Sequence, residues 1–142
     1  YADQVLTNAT VLAKTLDGEG IGLATGGTDT HLMIADLEGI GLSGEEAERA
    51  LEAAGICADR CPFPGRNEDY VRTSGIRFGT PAATSRGMGD EEMRAIGHLI
   101  ATVLRKSGDP TTLAAVRAEV AALVSHMQRT TCVYLASLDG RT

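Results

Sequence analysis

Thr73-Ser74-Gly75-Ile76-Arg77-Phe78-Gly79-Thr80-Pro81 places one arginine in a short strand-like run between two glycines. Glycine lets the backbone approach a ligand closely, and a guanidinium offers a fixed fork of donors that matches a carboxylate. The stretch therefore predicts a strand that presents a small-anion clamp. Taken alone, an arginine beside glycine and proline is more often a turn-stabilising or solvated residue than a clamp, so the flanking sequence has to decide.

Upstream of this strand, Cys57 to Arg72 has no periodicity, and Pro62, Pro64 and Gly65 mark an irregular loop leading into it. Before the loop, Ser43-Gly44-Glu45-Glu46 is a capping box that opens a helix over 44–55, with Ala47, Ala50, Leu51 and Ala54 as its buried side. Ile21 to Thr25 and His31 to Leu37 are strand-like and flank the turn cluster Gly26-Gly27-Thr28-Asp29, which predicts a hairpin. The chain opens with a helix over 2–17, whose Val5, Ala9, Leu12 and Leu16 make one stripe closed by Gly18 and Gly20.

Downstream, Asp90-Glu91-Glu92 starts a helix over 90–106 with Met93, Ile96, Ile100, Val103 and Leu104 on one face. Asp109-Pro110 starts another over 110–128 with Leu113, Val116, Val120, Leu123 and Met127. Val133-Tyr134-Leu135 is left unassigned. The order α, β, β, α, loop, β, α, α predicts a single α+β domain over 1–142, with helices packed on a small, mainly antiparallel sheet.

Thirteen Lys plus Arg against nineteen Asp plus Glu give a net charge of −6. No basic cluster interleaves with aromatics, which excludes a nucleic-acid surface. The apolar runs are too short to span a bilayer and no basic-then-apolar leader opens the chain, so a cytoplasmic protein without a membrane partner is expected. Three cysteines without metal-ligand spacing are read as reduced thiols, with no metal site. Cys57 or Cys61 would become reactive if Arg60 or Arg66 lowered its pKa. No dinucleotide or nucleoside triphosphate fingerprint is present.

Thr73 to Gly87, together with Gly26-Gly27-Thr28-Asp29-Thr30-His31, closely resembles serine hydroxymethyltransferase, the pyridoxal-phosphate family that interconverts serine and glycine. The resemblance runs over nearly the whole chain and corresponds to the last third of a member. It implies the small C-terminal domain of a fold-type I transferase, with Arg77, and Ser74 beside it, binding the substrate's α-carboxylate.

The cofactor machinery is expected elsewhere. Lys14 and Lys106 both sit in amphipathic helices, so the resemblance places no catalytic residue in this chain. It implies a lysine-bearing large domain as partner, in the same longer chain or as a separate subunit, that binds most of the pyridoxal phosphate. An amino acid is the implied substrate and a dimer or higher assembly the implied state. Where the family shows N-K-N, this chain reads Asp59-Arg60-Cys61. Cys61 stands for an asparagine that helps hold the pterin, which puts tetrahydrofolate use in doubt and brings the chain nearer to folate-independent threonine aldolases and transaldolases. Thr30 and His31 are expected to be turn residues, and His98 and His126 helix-surface residues. A non-catalytic partner or regulatory subunit that keeps the fold is the other reading.

Overall fold

The computed structural model describes residues 1–139, with side chains through Met127. The opening stripe forms helix α1, Ala2–Gly18, which buries Val5, Ala9, Leu12 and Leu16 together with Asn8 and Ala13. There follow β1 (Leu32–Asp36), α2 (Gly44–Ala53), β2 (Asp59–Cys61), β3 (Gly75–Gly79), α3 (Pro81–Ser85), α4 (Asp90–Arg105) and α5 (Pro110–Asp139). The sheet order is β1-β3-β2 and both pairs are antiparallel, so the arginine strand is central. The fold is α+β.

Alternation along the strands separates the two faces of the sheet. Met33 and Ala35 of β1 and Ile76 and Phe78 of β3 are at most 5% exposed and join the apolar sides of the helices in one core. Small residues set how closely the helices approach. A Cβ on Gly97 of α4 would lie 2.6 Å from Thr15 Cγ2 of α1, so only glycine admits this crossing. At the start of α2 a Cβ on Gly44 would lie 2.0 Å from Thr73 Oγ1, which seats the helix against the entry to β3.

The α2 capping box forms as its sequence specifies, whereas α4 is capped at Gly89, with Asp90 in its first turn. Glu46 N–H donates to Ser43 Oγ at 3.2 Å, and Ser43 N–H donates to Glu46 Oε2 at 2.9 Å. A buried polar relay then ties the chain after β3 to α1. Asn8 Nδ2 donates to Thr84 Oγ1 (2.8 Å) and the Met88 carbonyl (2.9 Å), while Thr80 Oγ1 donates to the Val5 carbonyl at 2.9 Å. Asn8 is fully buried and Thr80 is 1% exposed, so each hydrogen bond offsets a desolvation cost of about 1–3 kcal/mol.

The expected hairpin is reduced. Ile21 to Thr25 pairs with β1 through one bridge, Leu23 opposite Ala35, supported by Ala24 N–H to the Ile34 carbonyl (2.9 Å) and Asp36 N–H to the Gly22 carbonyl (2.8 Å). Glycines at 20 and 26, both with positive φ, turn the backbone away on each side before a full strand can form. The segment read as wholly irregular contains β2, which lies along β3 at the sheet edge. Helix α5 continues to Asp139 and includes Val133-Tyr134-Leu135, whose side chains lie outside those described.

Candidate functional site

The register of β3 fixes what shares the face of the sheet opposite the core. Ile34, Arg77 and Asp59 lie directly across from one another, and Asp36, Gly75 and Cys61 form the adjacent row. Because Ile76 and Phe78 point into the core, Arg77 between them points out. Its side chain is 49% exposed and that of Asp59 71%. Arg77 Nη2 donates to Asp59 Oδ2 at 2.9 Å. This carboxylate raises the guanidinium's pKa further and keeps Arg77 charged.

Room around the guanidinium comes from glycines. At Gly75 an added Cβ would lie 2.8 Å from the Cys61 carbonyl oxygen and 3.2 Å from Cys61 Sγ, so a side chain there would push β2 outward. Beside Gly79 lies an open hollow of about 430 Å³ lined by His31, Leu32, Cys57, Asp59 and Arg77. A second hollow of about 420 Å³ shares Leu32 and is bordered by the turn Gly26 to Asp29, with Ile34 and Pro64. Thr28 Oγ1 closes that turn on the Leu32 carbonyl at 2.6 Å. The structure thus brings Arg77, Cys61 and the Gly26-Gly27-Thr28-Asp29 turn to one face.

Ser74 is engaged differently. Its hydroxyl accepts from Arg66 Nη1 at 2.6 Å and donates to Glu68 Oε1, and its N–H donates to Glu68 Oε2 at 3.0 Å. Arg66 also forks onto Asp36, Nη1 to Oδ1 at 2.9 Å and Nη2 to Oδ2 at 2.8 Å, and stands 4.2 Å from the centre of the Phe63 ring. These donors hold both carboxyls below the usual carboxylate range, through Arg66 at Asp36 and chiefly through Ser74 at Glu68. The cluster fastens the loop before β3 to the end of β1, so the backbone that carries Arg77 is anchored at its entrance.

The condition set for a reactive thiol is not met at Cys61. Burial pushes the pKa of Cys61 up, and the nearby Arg77 charge offsets this only in part. Arg66 is committed to Asp36 and Glu38, and Arg60 to Glu45 and Glu48, so neither activates Cys61. His31 is fixed through its backbone, whose carbonyl accepts from Thr80 N–H at 3.1 Å. His98 acts as a helix-surface clasp. Its Nδ1 lies 2.6 Å from Glu19 Oε1, while Arg105 Nη1 reaches Glu19 Oε2 at 2.6 Å, joining α4 to the end of α1.

The family model described as serine hydroxymethyltransferase matches residues 1–100. The chain belongs to the serine hydroxymethyltransferase family. A serine hydroxymethyltransferase of Methanospirillum hungatei is 44% identical over 125 residues, which cover 88% of this chain and 30% of the relative. One of Verminephrobacter eiseniae is 45% identical with the same coverage, and one of Marinomonas sp. is 49% identical over 84% of this chain and 29% of the relative. The chain thus spans about three-tenths of the length of these serine hydroxymethyltransferases.

Within this family frame the described residues alone do not fit pyridoxal phosphate. The chain's two lysines are Lys14 on α1 and Lys106 at the end of α4, in the helical layer and not on the face of Arg77. The role of Arg66 was missed in the sequence because its partner Asp36 lies thirty positions away.

Proposed function

We propose that this chain forms the small-domain part of a pyridoxal-phosphate-dependent enzyme acting on serine, glycine or a related β-hydroxy amino acid, and that Arg77 binds the substrate α-carboxylate. One observation carries the reading: Arg77 presents a charged guanidinium on the outward face of the sheet, between Gly75 and Gly79, where it lines an open hollow. Its planar fork gives a carboxylate two parallel charge-assisted hydrogen bonds, which fixes the orientation of the rest of the molecule. Ser74 supports the site by holding the entrance of β3 through Arg66 and Glu68. When bound, pyridoxal phosphate supplies the electron sink for cleavage at the amino acid's α-carbon. Its lysine, and the remaining walls of the pocket, belong to a large domain that closes over this face.

The test is reconstitution. The 142-residue chain is expected neither to retain pyridoxal phosphate after borohydride treatment nor to turn over amino acids. Both properties are expected once a lysine-bearing large domain of the family is supplied. Cofactor retention by the chain alone would overturn the reading, as would a large domain that never associates. A stable but inactive complex would favour a non-catalytic partner subunit.

Cys61 favours a second, finer reading. It lies on the Arg77 face, opposite Gly75, and a thiol lacks the paired donor and acceptor of an amide. A ligand group left unpaired in a closed site costs about 1–3 kcal/mol, so folate binding would fall by about ten- to a hundredfold. The assembled enzyme is then expected to cleave threonine-like substrates without tetrahydrofolate and to gain little from its addition. Calorimetry that finds tight folate binding, with strictly folate-dependent serine turnover, would return the chain to the ordinary reaction.

A further inference from the structure

We propose that Asp59 is a resident competitor for the Arg77 guanidinium, so that a carboxylate ligand binds there against the Asp59 charge and, in the fork that Asp59 occupies, displaces it. The inference rests on the reading of Arg77 as a carboxylate site and adds a specificity determinant to it. Asp59 and Arg77 are direct cross-strand partners, joined by one hydrogen bond from Nη2 to Oδ2 at 2.9 Å. Nη2 belongs to both bidentate geometries of a guanidinium, the side-on pair with Nε and the end-on pair with Nη1. Each fork uses a different N–H of Nη2, so the single Asp59 bond occupies one of them, while the Asp59 charge beside the shared nitrogen opposes an anion in either.

The contest is a weak one, which suits a displaceable group. Both side chains are at least 49% exposed, and a solvated pair held by a single bond contributes little to stability. The β2 edge strand that carries Asp59 is only three residues long. Asp59 can turn toward solvent without uncovering the core, because the residues of this row point away from it. The consequence is selectivity. A carboxylate that makes two parallel charge-assisted bonds outweighs the single Asp59 bond, whereas a neutral single-oxygen acceptor gains too little to displace it.

Acetate tests this, since it has a carboxylate and no ammonium for Asp59 to attract. It is titrated at constant ionic strength into the protein and its Asp59→Asn, Asp59→Ser and Arg77→Lys variants while the backbone amide signals of Gly75 and Gly79 are followed by NMR. Removing the competing charge is expected to lower the half-saturating acetate concentration by about two- to fivefold in both Asp59 variants, with Arg77→Lys binding more weakly than the parent. Asp59 variants that match the parent, with binding still lost in Arg77→Lys, would overturn the competitor and leave Arg77 as the carboxylate site. Absence of Arg77-dependent binding in the parent and both Asp59 variants would overturn the reading of Arg77 and the competitor with it.

Discussion

Ile100→Asp is expected to leave the protein unfolded at room temperature. Ile100 is 1% exposed on α4, within the core that also takes Met33, Ala35, Ile76 and Phe78 from the sheet. The substitution forfeits the burial of an isoleucine, about 1.5–3 kcal/mol. It also places an unpaired carboxylate among apolar groups, where the penalty is several kcal/mol. Their sum is comparable with the whole stability of a domain, about 5–15 kcal/mol. Ile100→Val, which removes one methylene, should cost only about 0.5–1.5 kcal/mol and keep a cooperative transition. Circular dichroism melts of the three proteins check this. An Ile100→Asp protein that melts like the parent would show that the core face of α4 is assigned wrongly.

What could be read in advance follows from where each signal resides. Helices α1, α2 and α4 were legible because Val5, Leu12, Met93, Ile100 and their partners repeat at helical spacing and the capping acids stand at fixed offsets. The strand of Arg77 was legible because Gly75 and Gly79 bound it. Strand β2 was not, since Asp59-Arg60-Cys61 has no β-branched or aromatic residue and pairs only because β3 offers an open edge. The run Ile21 to Thr25 looked like a strand by composition, but backbone turns at Gly20 and Gly26 leave it one bridge. The placement of Arg77 on a strand was legible through its motif. Its partner Asp59 and the clamp of Arg66 on Asp36 depend on tertiary register, which no local pattern encodes.

Arg77→Lys is the second large effect. Lysine keeps the charge, and with it much of the attraction to Asp59, but replaces a planar fork by one mobile point donor. Loss of one charge-assisted hydrogen bond to the carboxylate amounts to about 1.5–3 kcal/mol, a fall in amino acid affinity of roughly ten- to 150-fold. If the grip is equal in ground and transition states the loss is confined to KM. On the proposed reading the same fork also orients the α-carbon bond that breaks, and kcat is then expected to fall too. Arg77 is half exposed at the centre of the outward face, so the melting temperature should stay near that of the parent. Amines without a carboxylate should be indifferent to the change.

The most direct measurement is glycine affinity and melting temperature on one preparation of the Arg77→Lys protein, assembled with the proposed cofactor-bearing large domain. Glycine binding weakened at least about tenfold, with an unchanged melt, is the predicted result. Unchanged glycine affinity in a fully folded, cofactor-loaded complex would contradict it and remove Arg77 from the site.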